Sequence, residues 1–402
     1  MKKLLALILA LAMTLSLAAC GAASNGSAGT GGTSGSAAAS GEKVGTDTES
    51  GSFKIGYNQL VTGDFALDAL ANNMETAIEG LGCEAMGVVA GGSMEQMVTD
   101  IENMISSGCD ALVLWLPIDS LYLTVAQMCE DAGVYWALAD KLPSDELLEQ
   151  LYAYQYFVGG IAPNNYSYGQ SLAQYALDQG YKSAYILAPG IGDGTATPRI
   201  EGFTKVFTEG GGTILGEAHT DDSNEAVTQA EDMYLTYGDQ ADCILATGAS
   251  TFGTAALTIL EKYNNHDLKI LTGDLDQTIL NSMADEDYVV SDAGDYWVSG
   301  VFASVMVVNA LNGNIWDDGG HVPALTDIPS FVVPAEQLDL FNNYIVGKSL
   351  YSSDELKTMV GITLDEYKKT VEAYSLESRF IAKNAEGTIS DEELAAAGIS
   401  VN

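Results

Sequence analysis

From residue 53 onward, apolar positions alternate between two rhythms. Residues 53–57 form a short apolar run, after which Leu67, Leu70, Met74, Ala77, Ile78 and Leu81 recur three and four apart. That spacing lays one apolar stripe along a helix. Residues 84–90 read as a strand. Met94, Met97, Ile101, Met104 and Ile105 mark a second amphipathic helix, and 111–116 is apolar throughout, as a strand covered on both faces requires. A third helix leads to Gly133 and the apolar run 134–139. Gly82, Gly108 and Gly133 each stand between a helix and the next strand, where a left-handed cap is expected. The rhythm restarts after Gly159, with helices over about 169–179 (capped by Gly180), 199–209 and 252–263, and strands near 184–188, 214–218, 243–247 and 268–272. Strand–helix alternation specifies parallel sheets with right-handed crossovers. Its repetition predicts an α/β fold of two Rossmann-like open-sheet lobes. Such sheets bind ligands beyond the carboxyl ends of their strands, so two facing lobes frame a cleft for a small molecule.

The first 52 residues follow neither rhythm. Met1-Lys2-Lys3 precedes an apolar stretch over 4–17, too short to span a bilayer comfortably, and the run Leu17-Ala18-Ala19-Cys20 is followed by Gly21. This resembles a bacterial lipoprotein signal. The resemblance implies removal of residues 1–19, acylation of Cys20, and a membrane partnership through N-terminal lipid rather than a spanning helix. Residues 21–52 are almost all Gly, Ser, Ala and Thr. Such a chain acts as a tether with an end-to-end distance on the order of 30 Å.

Composition narrows the partners. The chain holds 55 Asp and Glu against 16 Lys and Arg, a formal net charge of −39. Nucleic acid and anionic lipid surfaces need clustered basic residues, so neither is expected as a partner. Cys83, Cys109, Cys129 and Cys243 form no C-x-x-C pattern and no metal spacing with His219, His266 and His321. Cys109 and Cys243 adjoin apolar runs and read as small buried hydrophobes, with room left for one disulfide. No metal or cofactor is expected. The motifs G-x-S-x-G, H-E-x-x-H and G-x-x-x-x-G-K are absent. Gly190-Ile191-Gly192-Asp193-Gly194 hints at a phosphate turn but equally suits a loop facing the cleft.

Several local motifs occur in an order and spacing that resemble the type I periplasmic binding proteins, specifically the ribose/galactose-type solute-binding proteins of ABC importers. They are Phe53-Lys54-Ile55-Gly56-Tyr57; Ile105-Ser106-Ser107-Gly108-Cys109-Asp110-Ala111-Leu112 with Pro117-Ile118-Asp119; Ala132-Gly133-Val134 followed by Ala139-Asp140-Lys141; Arg199-Ile200-Glu201-Gly202-Phe203; Gly273-Asp274; and Asn309-Ala310-Leu311-Asn312-Gly313. The resemblance covers about 53–345. It implies an N-terminal lobe over 53–158 completed by about 296–325, and a C-terminal lobe over 159–295 completed by about 326–345, joined by a multi-crossover hinge. Residues 346–402 extend past the family's usual end, with two short helical patterns and no assigned role.

Carried over by position, the resemblance implies ligand contacts from Thr62, Asp64 and Phe65 after the first strand, Asp140 and Lys141 after the fourth, and Thr247 and Asp274 in the second lobe. Trp115 and Trp297 are candidate aromatic faces. Each has a plainer role beside it. Asp140 suits a helix cap or a pair with Lys141, and Asp276 rivals Asp274 as a cap. Phe65 suits packing on its helix, Trp115 the core, and Arg199 anchorage of its own helix. Thr197 replaces the family's first arginine, 91–93 lacks its Asn or Asp, and Gly294 stands where glutamine is common, which points away from a standard pentose site. The implied function is a monomeric, non-enzymatic extracytoplasmic lipoprotein that binds a sugar-like solute and delivers it to ABC permease subunits. A sensory sugar or autoinducer-2 receptor of the same fold is the alternative, and a surface glycoside hydrolase using Asp140 and Asp274 the second. A repressor with this core is set aside by the signal and the lack of a basic helix-turn-helix.

Overall fold

The computed structural model describes residues 53–285, 289–292 and 297–400. The segments expected to be a signal (1–19) and a tether with its Cys20 (20–52), and Gly294, lie outside the described residues. The first sheet is built from β1 (Lys54–Gln59), α1 (Phe65–Gly80), β2 (Glu84–Val89), α2 (Met94–Ser106), β3 (Ala111–Leu114), α3 (Tyr122–Ala132), β4 (Tyr135–Ala139), α4 (Asp145–Leu151) and β5 (Phe157–Pro163). The second follows with α5 (Asn165–Asp178), β6 (Ser183–Ala188), α6 (Ala196–Glu209), β7 (Thr213–His219), α7 (Ser223–Tyr237), β8 (Cys243–Ala246), α8 (Thr254–Tyr263), β9 (Lys269–Gly273), α9 (Gln277–Asp285) and β10 (Val289–Asp292). Then α10 (Ser299–Leu311) and β11 (Ala324–Ile328) return to the first sheet, and β12 (Val332–Val333) closes the second. Strand orders are β11-β5-β4-β3-β1-β2 and β12-β10-β9-β8-β6-β7, the same topology twice, differing in that β11 pairs parallel and β12 antiparallel.

Period-two alternation sorts each strand between two cores. Ala111 and Val113 of β3 face the α1/α10 side, while Leu112 and Leu114 face α2 and α3. In β8, Ile244 and Ala246 face α7–α9, while Cys243 and Leu245 face α5 and α6. Gly82, Gly108 and Gly133 have φ of 84°, 82° and 70°, the left-handed caps that their positions required. All four described cysteines are free, and burial pushes the Cys129 thiol up to about 12.

The fold departs from the sequence reading in four places. The fifth strand runs to Pro163 in the first sheet, past the expected lobe boundary at 158. Helix α7 fills a stretch where no helix was expected. Of the segment assigned to completing the second lobe, only Val332–Val333 joins the second sheet. And 346–400 holds four helices rather than two: α11 (Leu338–Tyr344) leads to α12 (Ser353–Thr358), α13 (Leu364–Glu372), α14 (Leu376–Ala385) and α15 (Asp391–Ala396). Among the described residues no helix is long and apolar enough to cross a membrane.

Two glycines set the crossing of α5 and α6. A Cβ on Gly202 would run into the carbonyl oxygen of Tyr166, and one on Gly169 into that of Arg199. Backbone cannot yield as a side-chain tip can, so Gly202→Ala forces the helices apart. We expect a loss of about 1–3 kcal/mol, the usual scale of overpacking, read as a lower melting temperature in thermal denaturation. An unchanged melting temperature would show that the crossing tolerates a methyl group.

Candidate functional site

The carboxyl ends of the strands in both sheets face one cleft of about 780 Å³, within the usual size range for small-molecule sites. Its first-lobe wall carries Asp64, Trp115, Asp119, Asp140 and Lys141, and its second-lobe wall Asn165, Asp193, Thr195, Arg199 and Asp274. The fold places these residues by repeating itself. Asp140 follows β4 and Asp274 follows β9, the equivalent strands of the two sheets. Both adopt a left-handed backbone, with φ of 68° and 64°. Only Gly, Asn and Asp visit that region readily, and outliers held in it tend to mark functional sites.

Arg199 organises the second-lobe wall. Its guanidinium donates to both oxygens of Asp274 at 2.9 and 3.1 Å, to the Thr247 carbonyl at 2.9 Å and to Asn165 Oδ1 at 2.9 Å. It lies 4.0 Å over the ring of Tyr168, whose hydroxyl bonds the Asp274 backbone N–H and carboxylate. Arg199 is 4% exposed. A bidentate fork of this kind fixes both partners in direction as well as position. Asp276 does cap α9, accepting from the Ile279 N–H at 2.7 Å, which leaves Asp274 to the cleft.

The first-lobe wall is set differently. Strand β3 stops at Leu114, and the buried amide of Asn58 takes over its ladder: Nδ2 donates to the Trp115 carbonyl and Oδ1 accepts from the Trp115 N–H, both at 2.9 Å. Trp115 is thereby pinned, half-buried, on the cleft wall. Asp140 accepts from the Ser299 hydroxyl at 3.3 Å, at the positive end of α10. Lys141 reaches along the wall to the Pro117 carbonyl at 2.5 Å. Asp64 caps α1 by accepting from the Leu67 N–H at 3.0 Å.

Of the residues expected from the sequence, the cleft therefore gathers Asp64, Asp140, Lys141 and Asp274. Thr247 is buried on an adjoining recess of about 170 Å³ that also includes Arg199 and Asp274. Thr62 is exposed on the loop after β1 and is not on the cleft wall. Trp297 is a correction. It is 1% exposed and wedged edge-on between Phe65 at 5.8 Å and Phe341 at 5.1 Å, so its ring packs core and offers no face to a ligand. Phe65, its partner, is likewise absent from the wall. Trp115, a candidate aromatic face with core packing as its plainer role, does both: it packs against the core and lines the cleft. Arg199 anchors the wall as well as its helix. The loop 190–194 does face the cleft, through Asp193 and Gly194.

A family model described as "Periplasmic binding protein domain" matches residues 60–315. Comparison with curated protein sequences returns no match. Among solved structures, this chain is similar to an ABC transporter solute binding protein from Mycobacterium smegmatis with bound glycerol, at 19% identity over 75% of this chain and 99% of that one, TM-score 0.55. It is also similar to one from Actinobacillus succinogenes with bound D-allose, at 16% identity over 72% and 99%, TM-score 0.59. A third, from Bacillus halodurans with bound myo-inositol, shares 18% identity over 73% and 99%, TM-score 0.53.

Proposed function

The chain belongs to the periplasmic binding protein family, and on that premise we propose that it is the extracytoplasmic solute receptor of an ABC-type importer. It takes a sugar or sugar-like polyol into the cleft, closes by hinge bending, and presents the closed form to permease subunits. The observation that carries this reading is the pair Asp140 and Asp274, one carboxylate from each lobe on the walls of one cleft, with Trp115 beside them. A carboxylate accepts charge-assisted bonds from neighbouring hydroxyls, and an indole covers the C–H face of a sugar ring. The bound glycerol, D-allose and myo-inositol of similar structures are polyols of this kind. Acylation of Cys20, a Gly/Ser-rich tether over 21–52 and a monomeric body complete the proposal.

The solute leaves the cleft unaltered. A glycosidase needs one carboxyl in an apolar pocket to serve as general acid. Asp274 has instead both oxygens on Arg199.

A thermal-shift screen of residues 53–402 against monosaccharides, cyclitols, nucleosides and amino acids tests the proposal. A ligand at about a hundred times its dissociation constant adds about 2.7 kcal/mol of stability, which raises the melting temperature by a few degrees. A shift confined to sugars or cyclitols supports the reading. A shift with nucleosides or amino acids alone overturns the solute class.

A further inference from the structure

The cleft wall carries five aspartates against two basic residues, Lys141 and Arg199. Both cations are turned onto the protein. Arg199 is spent on Asp274, Asn165 and the Thr247 carbonyl, and Lys141 donates to the Pro117 carbonyl. Four of the aspartates are engaged as well, Asp140 by the Ser299 hydroxyl. Asp64 caps α1, Asp193 accepts from the backbone N–H groups of Thr195 and Ala196 at 2.9 and 2.7 Å, and Asp274 holds Arg199. Asp119 differs. It stands exposed at the start of a 3₁₀ turn (Asp119–Leu121), where its backbone carbonyl accepts from the Tyr122 N–H, and its carboxylate makes no hydrogen bond or ion pair among the described residues. It shares the loop after β3 with Trp115, the aromatic side chain of the wall, whose backbone Asn58 holds in place.

An uncompensated carboxylate and an indole face on one short loop are the two groups that recognise an ammonium. The anion attracts it by charge and the ring by its quadrupole, and the second attraction strengthens as water leaves the closing cleft. An anionic solute would meet the same carboxylate excess as repulsion, with Arg199 already paired to Asp274 and Lys141 the one cation of the wall left to offset it. We infer that the cleft selects a polyol bearing an ammonium group, an amino sugar or aminocyclitol, with its amine at the Trp115–Asp119 end of the first-lobe wall. This rests on the cleft being a sugar site and refines which sugars enter it.

Titration calorimetry of the mature chain with matched probes separates the two levels. D-Glucosamine, D-galactosamine and D-mannosamine are each compared with the parent hexose, with the N-acetyl derivative, which has lost the charge, and with the corresponding hexonate. At low salt, at least one amine should bind tenfold or more tighter than both of its neutral counterparts, with the hexonate weakest. In Asp119→Asn that margin should shrink toward unity. The Asp119 carboxylate bonds to nothing among the described residues, so an unchanged melting temperature will certify the variant. A neutral hexose binding as tightly as its amine overturns the charge preference and leaves the sugar site standing. A margin that survives Asp119→Asn overturns the placement of the amine. Binding of nucleosides or amino acids with no sugar bound, amino or neutral, overturns both readings.

Discussion

A chain ending at Ile345 should lose the cooperative unfolding transition of the first lobe. Helix α10 shows why. Every residue from Ser299 to Ala310 is buried, and a helix apolar on all sides must be covered on all sides. The first sheet and α1 cover part of it, and the C-terminal helices cover the rest. Phe302 is ringed by Tyr351, Tyr367 and Tyr374 at 6.0, 5.9 and 6.4 Å, and the Tyr367 hydroxyl donates to the Phe302 carbonyl at 2.9 Å. The buried amide of Asn309 donates to the Met359 carbonyl at 2.9 Å and accepts from the Gly361 N–H at 2.7 Å. Asn314 and Trp316 both donate to the Ile362 carbonyl. Truncation opens this face to water and removes two of the four hydrogen bonds of Asn309, those with Met359 and Gly361, each worth about 0.5–1.5 kcal/mol. It also bares a large apolar patch, which favours aggregation. Circular dichroism melting and binding of a hydrophobic dye read the result. A truncated protein melting within a few degrees of the full one would show the extension to be dispensable. Tyr367→Ala makes the same point with one residue: the side chain is fully buried, so the cavity should cost about 3–5 kcal/mol, as for other large aromatic truncations.

The segment with no role assigned from sequence thus turns out to be part of the first lobe's core. Its signals were local and present. Ser352 with Glu355, Thr363 with Glu366 and Ser390 with Glu393 each form a capping box, a pattern legible three residues at a time. These helices are short and bury few large side chains each, so an apolar stripe is hard to see. The same cause hid α7, whose buried positions are Ala226, Ala230 and Met233. Strand β5 was obscured by Gly159 and Gly160. Gly159 sits at φ 112°, with the Pro323 carbonyl where a Cβ would stand.

The alternation of large apolar runs was enough to reveal the two sheets. The site was legible where it depends on position along a strand, as at Asp140 and Asp274. It was not legible where it depends on distant partners. Arg199 meets Asp274 across 75 residues, and the core cage around Trp297 draws on Phe65 and Phe341. Trp115 stayed open between core and ligand face because its strand is apolar; it stands just past the carboxyl end of β3, the ligand side in such sheets, and also packs on the core.

Removing the carboxylate of Asp140 should weaken solute binding by a hundredfold or more while the protein stays folded. The carboxylate is proposed to accept two hydroxyls, and hydrogen bonds to a charged group contribute about 1.5–3 kcal/mol each. The left-handed backbone decides which variants can be interpreted. At φ 68° an alanine adds a strain of about 1–2 kcal/mol, whereas asparagine tolerates the region nearly as well as aspartate. Asp140→Ala therefore loses both affinity and some stability. Asp140→Asn keeps the backbone and the shape and removes the charge alone, so it should retain the melting temperature and still bind at least tenfold more weakly. Calorimetry with whichever solute stabilises the parent, paired with thermal denaturation, separates these effects. Affinity within threefold of the parent in both variants would take Asp140 out of the site. A drop in Asp140→Ala alone, matched by its loss of stability, would assign the left-handed turn to folding rather than recognition. If Asp140→Asn fails to bind while melting normally, the strained turn is there to hold a charge at the first-lobe wall opposite the Arg199–Asp274 pair.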